Sequence, residues 1–181
     1  MTELKRCAST RILGIDPGLR TTGIGIIESD GRDSRYIFSR NIRVQAPGEK
    51  TGIAERLGLI FKNLTEIIEQ YRPDEVAVEE VFVSRNISSA LKLGHARGAA
   101  ISAAVQFQVP VSEYSARFVK QAVVGNGAAS KQQVQHMVLS LLGLRGVLQA
   151  DEADALAVSL CHAHSSMLAV GPRVSSSGCQ A

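Results

Sequence analysis

Arg11-Ile12-Leu13-Gly14-Ile15-Asp16-Pro17-Gly18 is the stretch around which the rest of the chain arranges itself. It is an apolar, β-type run that ends on a carboxylate and turns at Pro17-Gly18, where proline fixes φ and glycine tolerates positive φ. A second run, Thr21-Thr22-Gly23-Ile24-Gly25-Ile26-Ile27, follows at once, and the pair predicts a hairpin. Aspartate is a poor strand residue, and a charge in an apolar strand is costly unless it is paired or holds a metal. Asp16 could equally serve only to open the turn. The choice depends on acids much later in the chain.

Working outward, Tyr36 to Val44 predicts a third strand after the Asp30-Gly31 turn, and Pro47-Gly48 ends it. Ile53, Leu57, Ile60, Leu64 and Ile67 recur at steps of four and three, the stripe of an amphipathic helix that Pro73 stops. Glu75 to Phe82 predicts a strand with little alternation before its acids, as in a strand covered on both faces. Ser88 is placed to cap a helix carrying Leu91, Gly94, Gly98, Ile101 and Val105 on one side. Glycines four apart predict close packing of that helix against another backbone. A short strand from Val109, a helical piece through Arg117, Lys120 and Val123, a turn at Gly125-Asn126-Gly127 and a helix opened by Ser130 come next. The last helix starts near Asp151. Leu156, Leu160, Ala163 and Met167 line one side and Val158 and Cys161 another, so it is expected to be buried against the sheet.

Three hairpin-linked strands followed by helix–strand alternation predict an α/β fold, a mixed sheet with helices on both faces. Residues 1–10 read as an N-terminal extension, 11–170 as one domain, and the serine-rich 171–181 as a disordered tail. With 45% hydrophobic and 20% charged residues the chain belongs with globular proteins, not disordered ones. Its net charge is +3, from 20 basic and 17 acidic residues. If four of the acids are gathered in one site, 13 remain against 20 bases, leaving +7 on the exterior. A basic exterior around an acidic pit suits a polyanion bridged by cations, although ordinary solubility explains +3 as well.

Cys7, Cys161 and Cys179 make neither a CxxC nor an even framework, which suits a reducing compartment. Cys161-His162-Ala163-His164 resembles a metal motif, but on a helix its side chains spread around the axis; a buried thiol with two surface imidazoles is expected. No apolar run approaches the roughly 20 residues of a membrane-spanning helix. The polar first ten residues lack the apolar core of a signal peptide. A cytoplasmic location without membrane contact is the expectation.

Asp151 and Asp154 stand three apart and share a helix face. Alone they make a fair capping arrangement at a helix N-terminus. Glu79 and Glu80, alone, are solvated acids where a strand leaves the sheet. Together the picture changes, because two strands and one buried helix each deliver acid near an end of an apolar element. Clustered carboxylates repel unless cations bind between them, and oxygen-rich sites suit Mg²⁺. Two such ions about 4 Å apart can activate an attacking water and stabilise the departing oxygen at phosphorus.

These residues bring out a resemblance. Leu13-Gly14-Ile15-Asp16-Pro17-Gly18, Val78-Glu79 with Val81-Phe82, Ser89 to Gly94, Ala96-Arg97-Gly98, Val119-Lys120-Gln121, Val134 to Met137 and Asp151 to Ala157 resemble the RuvC family of bacterial Holliday junction resolvases, within the RNase H-like nuclease superfamily. The resemblance runs in order from about Arg11 to His164. It implies an RNase H-like three-layer fold with a mixed five-stranded sheet. It also implies a homodimer, cooperation with the branch-migration proteins RuvA and RuvB, and paired symmetric nicks in two like strands of a four-way DNA junction. It places two Mg²⁺ ions, for which Mn²⁺ can substitute, on Asp16, Glu79, Asp151 and Asp154. It chooses Glu79 over Glu80, which alternation leaves open. Glu80 stands where the family commonly has glutamine, and Glu152 where it commonly has alanine, so both add negative charge beside the site.

Lys120 and Lys131 match family lysines that approach the scissile phosphate, where a cation stabilises the transferring charge; without the resemblance they are ordinary solvent-facing residues. Phe82 matches an aromatic that stacks on unpaired bases at the crossover, and Arg85 and Asn86 beside it suit a DNA-facing loop. Arg20, Lys92 and Arg97 are further expected phosphate contacts. A phosphotransferase using Asp16 to Gly25 as a phosphate loop is a rival. It needs a second lobe for which the chain has no room, and Gly23-x-Gly25 lacks a third glycine at the required spacing. A junction-binding module without activity is disfavoured by the intact carboxylates, and an RNase H-like nuclease acting on another nucleic acid is a third reading.

Overall fold

A computed structural model describes residues 9–44, 51–80 and 87–169. The chain runs β1 (Thr10–Asp16), β2 (Thr21–Ser29), β3 (Ser34–Arg43), α1 (Ile53–Tyr71), β4 (Glu75–Glu80), α2 (Ile87–Gln106), β5 (Val111–Ser115), α3 (Ala116–Val124), α4 (Lys131–Leu141) and α5 (Ala150–Ala169). The expected extension and tail, and Phe82, Arg85 and Asn86, lie largely or wholly outside the described residues. The strands form one sheet in the order β3-β2-β1-β4-β5. The first three pair antiparallel, while β4 runs parallel to β1 and β5 parallel to β4. This is the α/β fold expected, with a mixed five-stranded sheet between two helical layers.

Alternation along the strands divides the core in two. Leu13, Ile15, Ile24, Ile26, Val76 and Val78 face α1 and α2. Ile12, Ile27 and Ala77 face α3, α4 and α5. Helix α1 buries Ile60, Leu64, Ile67 and Ile68, whereas Ile53 at its start is exposed. It ends where Arg72, in the left-handed region, donates its N–H to the Ile68 carbonyl ahead of Pro73. Ser115 caps α3, and Ser130 with Gln133 forms a capping box that fixes the start of α4.

Two local expectations are corrected. Helix α2 already begins at Ile87, so Ser88 lies in its first turn instead of capping it. Among the described residues Gly94 and Gly98 do not meet another backbone: a Cβ on either would have nothing within 4 Å. The buried side of α2 is built from Ala96, Ala100, Ala103 and Ala104, and the glycines face outward.

Helix α5 is buried from Ala153 to Ala163 apart from Asp154, and the sheet makes room for it with glycine. A Cβ on Gly14 would stand 2.1 Å from the Ala155 carbonyl oxygen, one on Gly25 2.7 Å from Leu156, and one on Gly23 1.9 Å from the Asp151 carbonyl oxygen. Gly23 and Gly25 therefore let a helix rest on the sheet, which gives them a packing role in place of the phosphate-loop reading. The fold thereby presses the first turn of α5 onto the end of β1 that carries Asp16.

Candidate metal centre

Asp16 is the last residue of β1 and pairs across the hairpin with Gly23, the glycine on which Asp151 rests. Glu79 stands one step beyond the last β1–β4 partner pair, Ile15 with Val78. Strand alternation puts it on the same sheet face as Glu75 and Ala77, the face covered by α5. Glu80 therefore projects to the opposite face, and it is exposed. Asp151 and Asp154 descend from the first turns of α5. Because α5 starts at Ala150, Asp151 lies inside the helix and is not its N-cap.

One oxygen each from Asp16, Asp151 and Asp154 lie within 4.8 Å of one another, the one cluster of metal-ligating side chains found among the described residues. Such an oxygen-only donor set suits a hard divalent cation. Glu79 stands outside that trio but bonds to Asp16. Burial, followed by the charge of Glu79, pushes the Asp16 carboxyl from 3.8 up to about 8, with Asp154 and Asp151 adding to the effect. Burial also raises Glu79, while the hydrogen bond from Asp16 and the positive charges of Lys131 and Lys120 pull it back. Both shifts run in the same direction: packing these carboxyls together disfavours their full ionisation.

The raised pKa sets the sign of a stability effect. A carboxyl with a folded pKa above its unfolded one stabilises the protein fully below the unfolded pKa and loses that contribution as pH rises through the folded pKa. For Asp16 the window runs from 3.8 to about 8. In EDTA the melting temperature is expected to fall across the upper part of that window, and Asp16→Asn to flatten the fall. A wild-type melting temperature level from pH 5 to 8 would contradict the raised pKa of Asp16.

Two lysines border the cluster. Lys131, the first residue of α4, donates from Nζ to Asp154 Oδ2 at 2.9 Å. Lys120 on α3 is close enough to act on Glu79. Glu152 does not enter the site: its Oε2 accepts from Ser39 Oγ of β3 at 3.3 Å. Arg20 is exposed in the turn after β1, where its carbonyl accepts the N–H of Val44. Lys92 is exposed on α2, and Arg97 forms an ion pair with Glu113 of β5. Arg43 is exposed at the end of β3 on the same face as Asn41, whose Nδ2 donates to Gln149 Oε1 at 2.9 Å.

One expectation about the Cys161-His162-Ala163-His164 motif is corrected. His162 is buried, between Tyr114 Oη at 2.7 Å from its Nδ1 and the Glu75 carboxylate at its Nε2. His164 donates from Nδ1 to the Ala122 carbonyl. Burial pushes the Cys161 thiol up to about 12, which leaves it inert as a nucleophile.

Comparison with known proteins places this geometry in context. Residues 12–162 match the protein-family profile described as "Crossover junction endodeoxyribonuclease RuvC". A Photobacterium profundum protein of that description is 55% identical over 169 residues, 92% of this chain and 95% of its own. One from Marinobacter nauticus is 60% identical over 153 residues, 84% of this chain and 85% of its own. Among solved structures, T. thermophilus RuvC in complex with a Holliday junction substrate superposes with a TM-score of 0.81 at 36% identity, covering 88% of this chain and 96% of that one.

Proposed function

The chain belongs to the RuvC family of crossover junction endodeoxyribonucleases, metal-dependent enzymes that resolve Holliday junctions, and from that premise we propose that Asp16, Glu79, Asp151 and Asp154 hold two Mg²⁺ ions at its active site. The observation that carries this reading is the convergence of three carboxylate oxygens, from Asp16, Asp151 and Asp154, within 4.8 Å. When bound, the ions would supply Lewis acidity for in-line hydrolysis at phosphorus. The protein's own groups do the rest. The carboxylates fix where cations sit, and no proton-transfer role is assigned to them. Lys120 and Lys131 neutralise charge on the phosphate as it transfers. Arg20, Arg43 and Lys92 engage neighbouring phosphates, as does Arg97 once it leaves Glu113, and Phe82, Arg85 and Asn86 meet the crossover.

A junction with two-fold symmetry calls for a protein with two identical sites. The outward side of α2 supports a homodimer. Ile87, Leu91 and Val105 are 71%, 62% and 60% exposed, and with the open Gly94 and Gly98 they follow the four–three spacing of a helix-packing seam. The setting we infer is cytoplasmic, alongside RuvA and RuvB; among the described residues no helix is long and apolar enough to cross a membrane.

The test is a synthetic immobile four-way junction incubated with and without Mg²⁺. Paired nicks at symmetric positions, with ends that a ligase seals, are expected only with the metal; cutting in EDTA would end the metal reading. Phe82→Ala is expected to lower junction cleavage roughly fivefold or more, the scale of one lost base stack, while leaving affinity for plain duplex unchanged. Equal losses on both DNAs would make Phe82 a core residue.

A further inference from the structure

We propose that Lys131 is the resident counter-ion of the metal-free site, and that divalent metal displaces it from Asp154 and frees it for the phosphate. This rests on the reading of the acid cluster as a metal site. Lys131 Nζ already occupies Asp154 Oδ2 at 2.9 Å, and Asp154 contributes one of the three converging oxygens. An ammonium beside a bound dication would be repelled at such distances. The Lys131 side chain is 72% exposed and that of Asp154 23%, so the lysine reaches inward from solvent and can leave without uncovering core.

Its backbone, in contrast, is held. Ser130 and Gln133 cap the helix that begins at Lys131, so release is a side-chain rotation and α4 need not move. A lysine in the first turn of a helix opposes the helix dipole, so local helix stability does not account for it. The acids it faces are Asp154 by direct contact, then Asp16 and Asp151 by charge, and all of them favour its charged form. Metal loading and phosphate engagement are thereby coupled through one side chain. By linkage, metal raises the affinity of Lys131 for phosphate by the factor that phosphate raises affinity for metal.

The experiment titrates the full chain with Mn²⁺ in the absence of DNA, counting free Mn²⁺ by electron paramagnetic resonance and following melting temperature in parallel. Lys131→Gln is expected to bind Mn²⁺ roughly two- to fivefold more tightly than wild type, the scale of one lost exposed ion pair. Its metal-free form is expected to melt lower and to gain more from Mn²⁺. Lys131→Arg, which keeps the charge, is expected to stay near wild type in both. Unchanged or weaker Mn²⁺ binding by Lys131→Gln overturns the proposal while leaving the metal site standing. If wild type and Asp154→Asn both fail to bind Mn²⁺, the metal reading itself falls and the proposal falls with it.

Discussion

Asp154→Asn is expected to cut four-way junctions roughly 10³-fold more slowly than wild type with Mg²⁺ present, the scale on which loss of one transition-state electrostatic partner operates. Junction affinity is expected to stay within a few-fold. The physical reason is that one change acts on two opposed interactions. It removes an oxygen from the converging trio, which spoils the placement of cations. It also removes negative charge from a pocket that must receive a phosphate, which favours DNA. The Lys131 ammonium loses its carboxylate partner and becomes available to the phosphate. Asp16→Asn and Glu79→Gln are expected to behave alike, since Asp16 and Glu79 stand side by side at the strand ends and each acts on the other's carboxyl. The measurement pairs single-turnover cleavage with equilibrium binding of the same junction. Cleavage by any of the three at close to the wild-type rate would show that its side chain does not hold the metal.

Gly14→Ala is expected to destabilise the fold by about 3 kcal/mol or more, the cost of forcing volume into a packed contact. At this chain length that lowers the melting temperature by roughly 10 °C. A methyl group there would stand 2.1 Å from the Ala155 carbonyl oxygen and 2.8 Å from the Ser159 nitrogen, both backbone atoms of α5 that no rotamer change can clear. Gly23→Ala is the sharper case, with its methyl 1.9 Å from the Asp151 carbonyl oxygen. Relief requires α5 to lift at the turn that carries Asp151 and Asp154. A displacement of about 1 Å costs catalysis on the order of 10²-fold, so activity is expected to fall even where the protein still folds. Gly58→Ala is the control: the space is open and the position lies inside α1, so the fold is expected to gain up to about 1 kcal/mol. Thermal melts and junction cleavage of the three variants separate these effects. A Gly23→Ala protein with wild-type melting and wild-type cleavage would show that α5 does not need that close approach.

Much of this architecture was legible from local pattern. Apolar β-type runs on either side of a Pro-Gly turn identified β1 and β2, and steps of four and three identified α1. Apolar residues on every side marked α5 as buried, because each pattern reports an environment that the segment itself must satisfy. Residue type also identified the four acids as strange companions for apolar elements, and the resemblance, not the spacing, chose Glu79 over Glu80. Alternation says that Glu79 and Glu80 lie on opposite faces but not which face receives α5. Long-range packing makes that choice, through Gly14, Gly23 and Ala77.

The same limit explains the misreadings. Gly94 and Gly98 on α2 look, residue for residue, like Gly23 and Gly25 on β2, yet the first pair faces open space and the second pair carries a helix. His162 reads as a surface imidazole until Glu75 and Tyr114 are brought against it from 87 and 48 positions away. The chain's own order of residues determined which segments become strands and helices and which of them end in acid, since those follow from propensity and period within a few turns. Only the folded arrangement decided that burial and Glu79 raise the pKa of Asp16, that Lys131 sits on Asp154 and that Glu152 turns toward Ser39. Charge and burial at a point in space depend on neighbours that the chain supplies from far away.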